Sequence, residues 1–133
     1  MKLVLDTNIF VSAFYWGGNP QKIIDRIVEG ADELYISNEI LDEVAATMAR
    51  PKFKTRPEII ERYLRTIEKI GKKVFIAGKV KGICRDEDDD DKIECAILSG
   101  ADYLITGDND LLVLGNYRQT EFITAEKYLK LFP

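Results

Sequence analysis

The chain has 133 residues, of which 46% are hydrophobic and 32% charged, a length that fits one domain able to bury a real core. Its 19 basic and 23 acidic residues give a formal charge of −4, which excludes a strongly cationic nucleic-acid wrapper but leaves room for local basic patches. The absence of histidine removes histidine general-base chemistry, Ser-His-Asp or Cys-His triads and histidine-ligated zinc.

Residues 2–5 form a short apolar run ended by Asp6-Thr7-Asn8, the pattern of a strand buried on both faces in a parallel sheet. The run starts almost at the first residue, so no targeting segment is expected. A short helix over 9–16 stops at Gly17-Gly18-Asn19-Pro20, and residues 21–29 repeat apolar side chains at Ile23, Ile24, Ile27 and Val28 with helical spacing. A second strand is expected at 34–37. The helix after it, 38–50, carries Ile40, Leu41, Val44 and Met48 as its stripe, with Pro51 as its stop. The next loop, 50–56, holds four cations and Phe53, and Thr55 with Glu58 reads as a capping box for a helix over 57–70 that stops at Gly71.

A third strand is expected at 73–76 and an irregular connection at 78–85. Six consecutive carboxylates, Asp86 to Asp91, then lead through Lys92 into an apolar helix over 93–101. A fourth strand at 103–106 is closed by Gly107-Asp108-Asn109-Asp110, a helical turn covers 111–114, and a last strand at 121–123 precedes a closing helix over 124–132. Strands alternating with helices predict an α/β fold, a mostly parallel sheet with helices on both faces. Ligands of such sheets bind at the carboxyl ends of the strands, and Asp6 and Asp108 each follow a strand directly.

Helical phase, at about 100° per residue, separates the acids within the run. Extrapolated back from Ile93, Ala96, Ile97 and Gly100, it places Asp89 and Asp90 on the apolar side and Asp88 and Asp91 away from it, and favours Asp90, one turn before Glu94. On the helix over 38–50, Glu43 lies nearer the apolar stripe than Glu39 or Asp42. Ordinary readings exist for each: a helix cap for Asp6 or Asn8, a turn residue for Asp108, solvated surface for Glu43 and the acidic run. An EF-hand loop fails, because its glycine and bidentate glutamate positions hold Asp91 and Ile97. Cys84 and Cys95, eleven residues apart, suit free thiols in a reducing cytosol, and no apolar stretch approaches the roughly 20 residues of a membrane span.

Taken together, Leu3-Val4-Leu5-Asp6-Thr7-Asn8, Ser37 with Glu43-Val44, Asp90 with Ile93, and Leu104-Ile105-Thr106-Gly107-Asp108 resemble the PIN-domain family over essentially the whole chain. The Arg50-Pro51-Lys52-Phe53 segment is similar to the branch of toxin components of toxin–antitoxin pairs. The resemblance implies a single PIN-like nuclease domain over residues 1–133, a three-layer α/β/α sandwich with a central mostly parallel sheet. It also implies a cytoplasmic Mg²⁺- or Mn²⁺-dependent ribonuclease whose metal ligands and catalytic acids are Asp6, Glu43, Asp90 and Asp108. Asp89, Asp91 and Asp110 are the alternates, and Thr7, Asn8 and Thr106 are supporting polar residues. The implied partners are RNA, a protein antitoxin and a second copy of the chain, with no membrane. Hard divalent cations take oxygen ligands, so converging carboxylates suit them, while Arg50, Lys52 and Lys54 are candidates to hold the RNA backbone, with Phe53 for stacking. Two other readings stay open: an aspartate-based phosphohydrolase with Asp6 as nucleophile, and a PIN-like module that has lost activity and only binds protein.

Overall fold

The computed structural model describes residues 1–84 and 86–133. Arg85, the last residue of the expected connection 78–85, lies outside the described residues. The elements run β1 (Lys2–Leu5), α1 (Thr7–Trp16), α2 (Gly18–Val28), β2 (Glu33–Ile36), α3 (Asn38–Met48), a 3₁₀ turn (Pro51–Phe53) and α4 (Pro57–Ile70). The second half continues through β3 (Gly71–Lys73), α5 (Glu87–Ser99), β4 (Tyr103–Ile105), α6 (Asn109–Leu114), β5 (Asn116–Tyr117), β6 (Thr120–Ile123) and α7 (Ala125–Leu131).

The strands form one sheet in the order β3-β2-β1-β4-β6-β5, parallel except for the β5–β6 hairpin. The chain moves outward from β1 to β3 on one side and then returns to place β4 on the other side of β1. The order therefore reverses between β1 and β4, the kind of switch point at which a crevice opens outside the carboxyl ends of the strands. Leu3, Val4 and Leu5 of the central strand are fully buried, as a sheet covered on both faces requires. Phe10 of α1, Ile40, Val44 and Met48 of α3 and Ile93 of α5 fill the same core.

Three local expectations change. The third strand is Gly71–Lys73 rather than 73–76, with one further ladder bond from the Val74 amide to the Ile36 carbonyl at 2.7 Å. A Cβ on Gly71 would meet methyl groups of Ile36 and Leu34 at 3.2 Å, so the close approach to β2 suits glycine, whereas the apolar Phe75 is 74% exposed. The Thr55–Glu58 capping box does not form. Arg56 is the N-cap of α4 without a side-chain cap, Glu58 pairs with Arg56 at 3.2 Å, and the Thr55 hydroxyl turns to the Tyr15 hydroxyl. Finally, α5 starts at Glu87, inside the acidic run. Asp86 caps it by accepting the Asp88 amide at 3.0 Å, and four acids fill its first turn, where the positive end of the helix dipole favours negative charge.

Candidate functional site

Asp6 follows β1 directly and stands at the N-cap of α1, yet its side chain makes no cap hydrogen bond. One carboxylate oxygen, Oδ2, instead accepts from the Thr106 hydroxyl at 2.7 Å, and that hydroxyl in turn accepts the Asp108 amide at 3.0 Å. Thr106 thus ties the ends of the two adjacent strands β1 and β4 across the switch point. The other oxygen, Oδ1, lies 2.8 Å from the ammonium of Lys92.

Lys92 is the residue sequence reasoning missed. It sits one turn into α5, 3% exposed, and its Nζ also meets Glu43 Oε1 at 3.3 Å and Asp89 Oδ1 at 3.1 Å. Three carboxylates from three separate elements therefore converge on one buried cation at the carboxyl edge of the sheet. The signal available in the sequence was its position, the first cation after six acids and three residues beyond Asp89. Burial pulls the lysine toward neutrality, but Asp6, Glu43 and Asp89 outweigh it and hold the ammonium above its ordinary value.

Asp89, rather than Asp90, is the acid of the run that joins Asp6 and Glu43. Both are buried, as helical phase predicts, but they face different neighbours. The Asp90 carboxylate accepts the backbone amides of Gly82 at 3.0 Å and Cys84 at 2.8 Å, fastening the connection before α5. Glu94, one turn on, does the same for Ala77 and Val80 at 2.7 and 2.9 Å. Burial pushes the Asp89 carboxyl up to about 6, with Asp108 and Asp6 adding to the rise and Lys92 opposing it.

Asp108 is part-exposed, caps α6 by accepting the Asp110 amide at 2.8 Å, and lies close enough to Asp89 for its charge to raise that carboxyl. Asp110 and Asn8 are exposed, and Asp91 lies beside Glu39, Asp42 and Glu43 in a hollow of about 370 Å³ between α3 and α5. Thr7 is 2% exposed, and among the described residues its hydroxyl is the buried side-chain polar atom without a partner. Arg50, Lys52 and Lys54 are exposed on the turn that follows α3. Burial, then the nearby Asp90 and Asp89, push the Cys84 thiol up to about 12, and burial does the same for Cys95, so neither is poised as a thiolate.

As the side chains stand, no three acids among the described residues are grouped to hold a metal ion, because the Lys92 ammonium occupies the point where Asp6, Glu43 and Asp89 meet. The donor set nevertheless fits a hard divalent cation in type and charge: all oxygen and net negative, three carboxylates against one ammonium. An incoming ion would share the acids with Lys92 or displace its ammonium.

The family model for the PIN domain matches residues 2–110. The uncharacterised protein MJ1680 of Methanocaldococcus jannaschii is 34% identical over 134 residues, covering 98% of this chain and 81% of the relative. Among solved structures, the crystal structure of VapBC2 from Rickettsia felis bound to a DNA fragment from their promoter superposes with a TM-score of 0.67. That match has 17% identity and covers 92% of this chain and 97% of the other, a likeness of fold. The family model covers most of the chain, and the chain belongs to the PIN domain family.

Proposed function

We propose that the protein is a divalent-cation-dependent endoribonuclease acting as the toxin of a toxin–antitoxin pair, with Asp6, Glu43 and Asp89 as the inner acids and Asp108 beside them. The observation that carries this reading is the meeting of three carboxylates from β1, α3 and α5 within 3.3 Å of one buried ammonium. Mg²⁺ or Mn²⁺, when bound, supplies Lewis-acid polarisation of a phosphodiester and a more acidic water. The chain supplies the rest. Thr106 fixes one oxygen of Asp6 so that the other is aimed at the cluster. Lys92 offsets part of the acid charge, keeping the cluster closed and providing a cation for the phosphate or the departing oxygen once the acids have another counter-ion. Asp90 and Glu94 tie down the preceding connection and so fix the first turn of α5, on which Asp89 and Lys92 stand.

The toxin assignment draws on the resemblance of the segment after α3 and is supported by the fold likeness to VapBC2. An aspartate nucleophile at Asp6 is disfavoured, since both its oxygens are engaged, by Thr106 and Lys92.

Cleavage of a mixed RNA pool, with and without Mn²⁺, tests the proposal in wild type, Asp6→Asn and Asp89→Asn. Wild type should cleave only with the metal, and each variant should lose about 10²- to 10³-fold in rate. Metal-independent cleavage, or variants as active as wild type, would refute it.

A further inference from the structure

Trp16, the chain's one tryptophan, ends α1 and is 70% exposed. Its neighbours hold it against the turn after α3. The Tyr15 ring stacks on Phe53 at 4.3 Å and 8°, the Tyr15 hydroxyl bonds to Thr55, and Trp16 meets Phe53 edge-on at 6.1 Å. Phe53 is not free to stack on anything else, because Tyr15 covers one face and the Lys52 ammonium lies 5.0 Å from the ring centroid. The most open aromatic side chain here is Trp16, with Phe14 on the same helix end 37% exposed.

The two stretches of chain that meet here are one-sided in charge, with Glu58 and Glu61 of α4 at their border, Glu58 paired with Arg56 and Glu61 beside Thr55. No acid occurs between Asp6 and Asp25 or between Glu43 and Glu58, the stretches that form α1, the start of α2, the end of α3 and the turn, although the chain as a whole carries −4. Within them Arg50, Lys52 and Lys54 are exposed, and none of the three pairs with an acid among the described residues. α1 starts at Thr7, beside Asp6, and its ten residues carry the chain about 15 Å to Trp16, a span of about four stacked nucleotides at about 3.4 Å each. A partner with a regular negative charge and flat apolar faces matches an exposed indole that borders a turn carrying Arg50, Lys52 and Lys54.

We propose that Trp16, with Arg50, Lys52 and Lys54, forms a docking platform for single-stranded RNA, on which one base stacks while the cations grip the phosphates leading toward Asp6. This rests on the ribonuclease reading for its choice of RNA. Single strands are preferred to duplex, because only an unpaired base offers its face.

The test uses the full chain in EDTA, where no divalent ion is available, with an octauridylate single strand and an RNA duplex of the same length as probes. Emission from Trp16 should be quenched saturably by the single strand and much less by the duplex. With fluorescein-labelled octauridylate followed by anisotropy, Trp16→Ala should weaken binding about tenfold while leaving the salt dependence unchanged, and Trp16→Phe should recover part of the loss. Lys52→Ala with Lys54→Ala should lower the slope of log affinity against log salt by about 1.4, two phosphate contacts on a single strand. Unchanged emission at saturating RNA overturns the proposal, as does tight binding by Trp16→Ala. Emission that follows protein concentration and sedimentation-detected self-association, but not RNA, overturns it in favour of a protein interface. Cleavage with Mn²⁺ is scored separately: cleavage without the Trp16 response sinks the platform alone, and the Trp16 response without cleavage sinks the nuclease reading and leaves the platform standing.

Discussion

Two buried charge clusters sit at opposite edges of the sheet, and their balance of charge is opposite. At the carboxyl edge one cation, Lys92, faces three acids, Asp6, Glu43 and Asp89. At the amino edge one acid, Asp32, just before β2, faces two cations and a hydroxyl: Arg26 Nε at 2.8 Å, the chain's amino group at 3.4 Å and the Tyr128 hydroxyl at 2.8 Å. Arg26 also donates to the Phe132 carbonyl at 2.9 Å, so this second cluster ties the first residue, α2 and the end of α7 together. Burial raises the Asp32 carboxyl, but Arg26 and Tyr128 outweigh it and hold it below the ordinary carboxylate range, whereas the Asp89 carboxyl is pushed up to about 6. A satisfied cluster is a clasp. The other has three acids to one ammonium, and under the proposed function a divalent cation makes up the difference.

Removing the central group of each cluster should break the molecule by different amounts. Lys92→Met strands three acids and should cost about 5 kcal/mol at neutral pH, the upper end for breaking a buried pair. Millimolar Mn²⁺ should return more of that loss than it adds to wild type. Asp32→Asn should cost about 3 kcal/mol, because the Arg26 side chain is 21% exposed and can turn to water, and Mn²⁺ should restore none of it. Urea unfolding of both variants with and without the metal measures these costs. Equal metal rescue of the two would dissolve the distinction.

Lowering the pH sharpens the contrast. The folded Asp89 carboxyl titrates near 6 and its unfolded counterpart near 3.8, so between those values the folded chain holds a proton that the unfolded chain has lost. Its ionisation therefore costs stability as pH rises through that window, and the Lys92→Met deficit should shrink between pH 7 and 5 as the stranded acids take up protons. Asp32 has the reverse sign. Its contribution is complete above about 3.8 and is lost only as pH falls below that value, so the Asp32→Asn deficit should stay constant from pH 7 to 5.

Much of this was legible in the residues. The apolar runs ending in Asp6 and Asp108 gave β1 and β4 and the edge on which their acids lie, because a buried parallel strand imposes a continuous apolar pattern. The position of β3 was not legible, since the Val74-Phe75-Ile76 run looks like a strand while the pairing depends on Gly71 fitting against Ile36. Nor was the β5–β6 hairpin, whose first strand is two residues long. Helical phase brought Asp89 and Asp90 to the buried side together, but periodicity holds nothing about which backbone amides a neighbouring connection will offer. Gly82 and Cys84 take Asp90, and that leaves Asp89 for Lys92. Lys92 itself was hidden as the last letter of a charge run.

The smallest expected effect therefore decides between the two neighbouring aspartates. Asp90→Ala removes a carboxylate that accepts two amides, each hydrogen bond to a charged group being worth about 1.5–3 kcal/mol before water replaces it. The Gly82 and Cys84 segment is part-exposed and water can reach it, so the net cost should be about 2 kcal/mol, with faster hydrogen exchange at those two amides. Cleavage should fall less than in Asp89→Asn, since Asp90 reaches the acidic cluster only by holding the start of α5. If Asp90→Ala abolished cleavage while both amides stayed protected, Asp90 would belong among the acids of the site, and Asp89 would be no more than the partner that holds Lys92 in place.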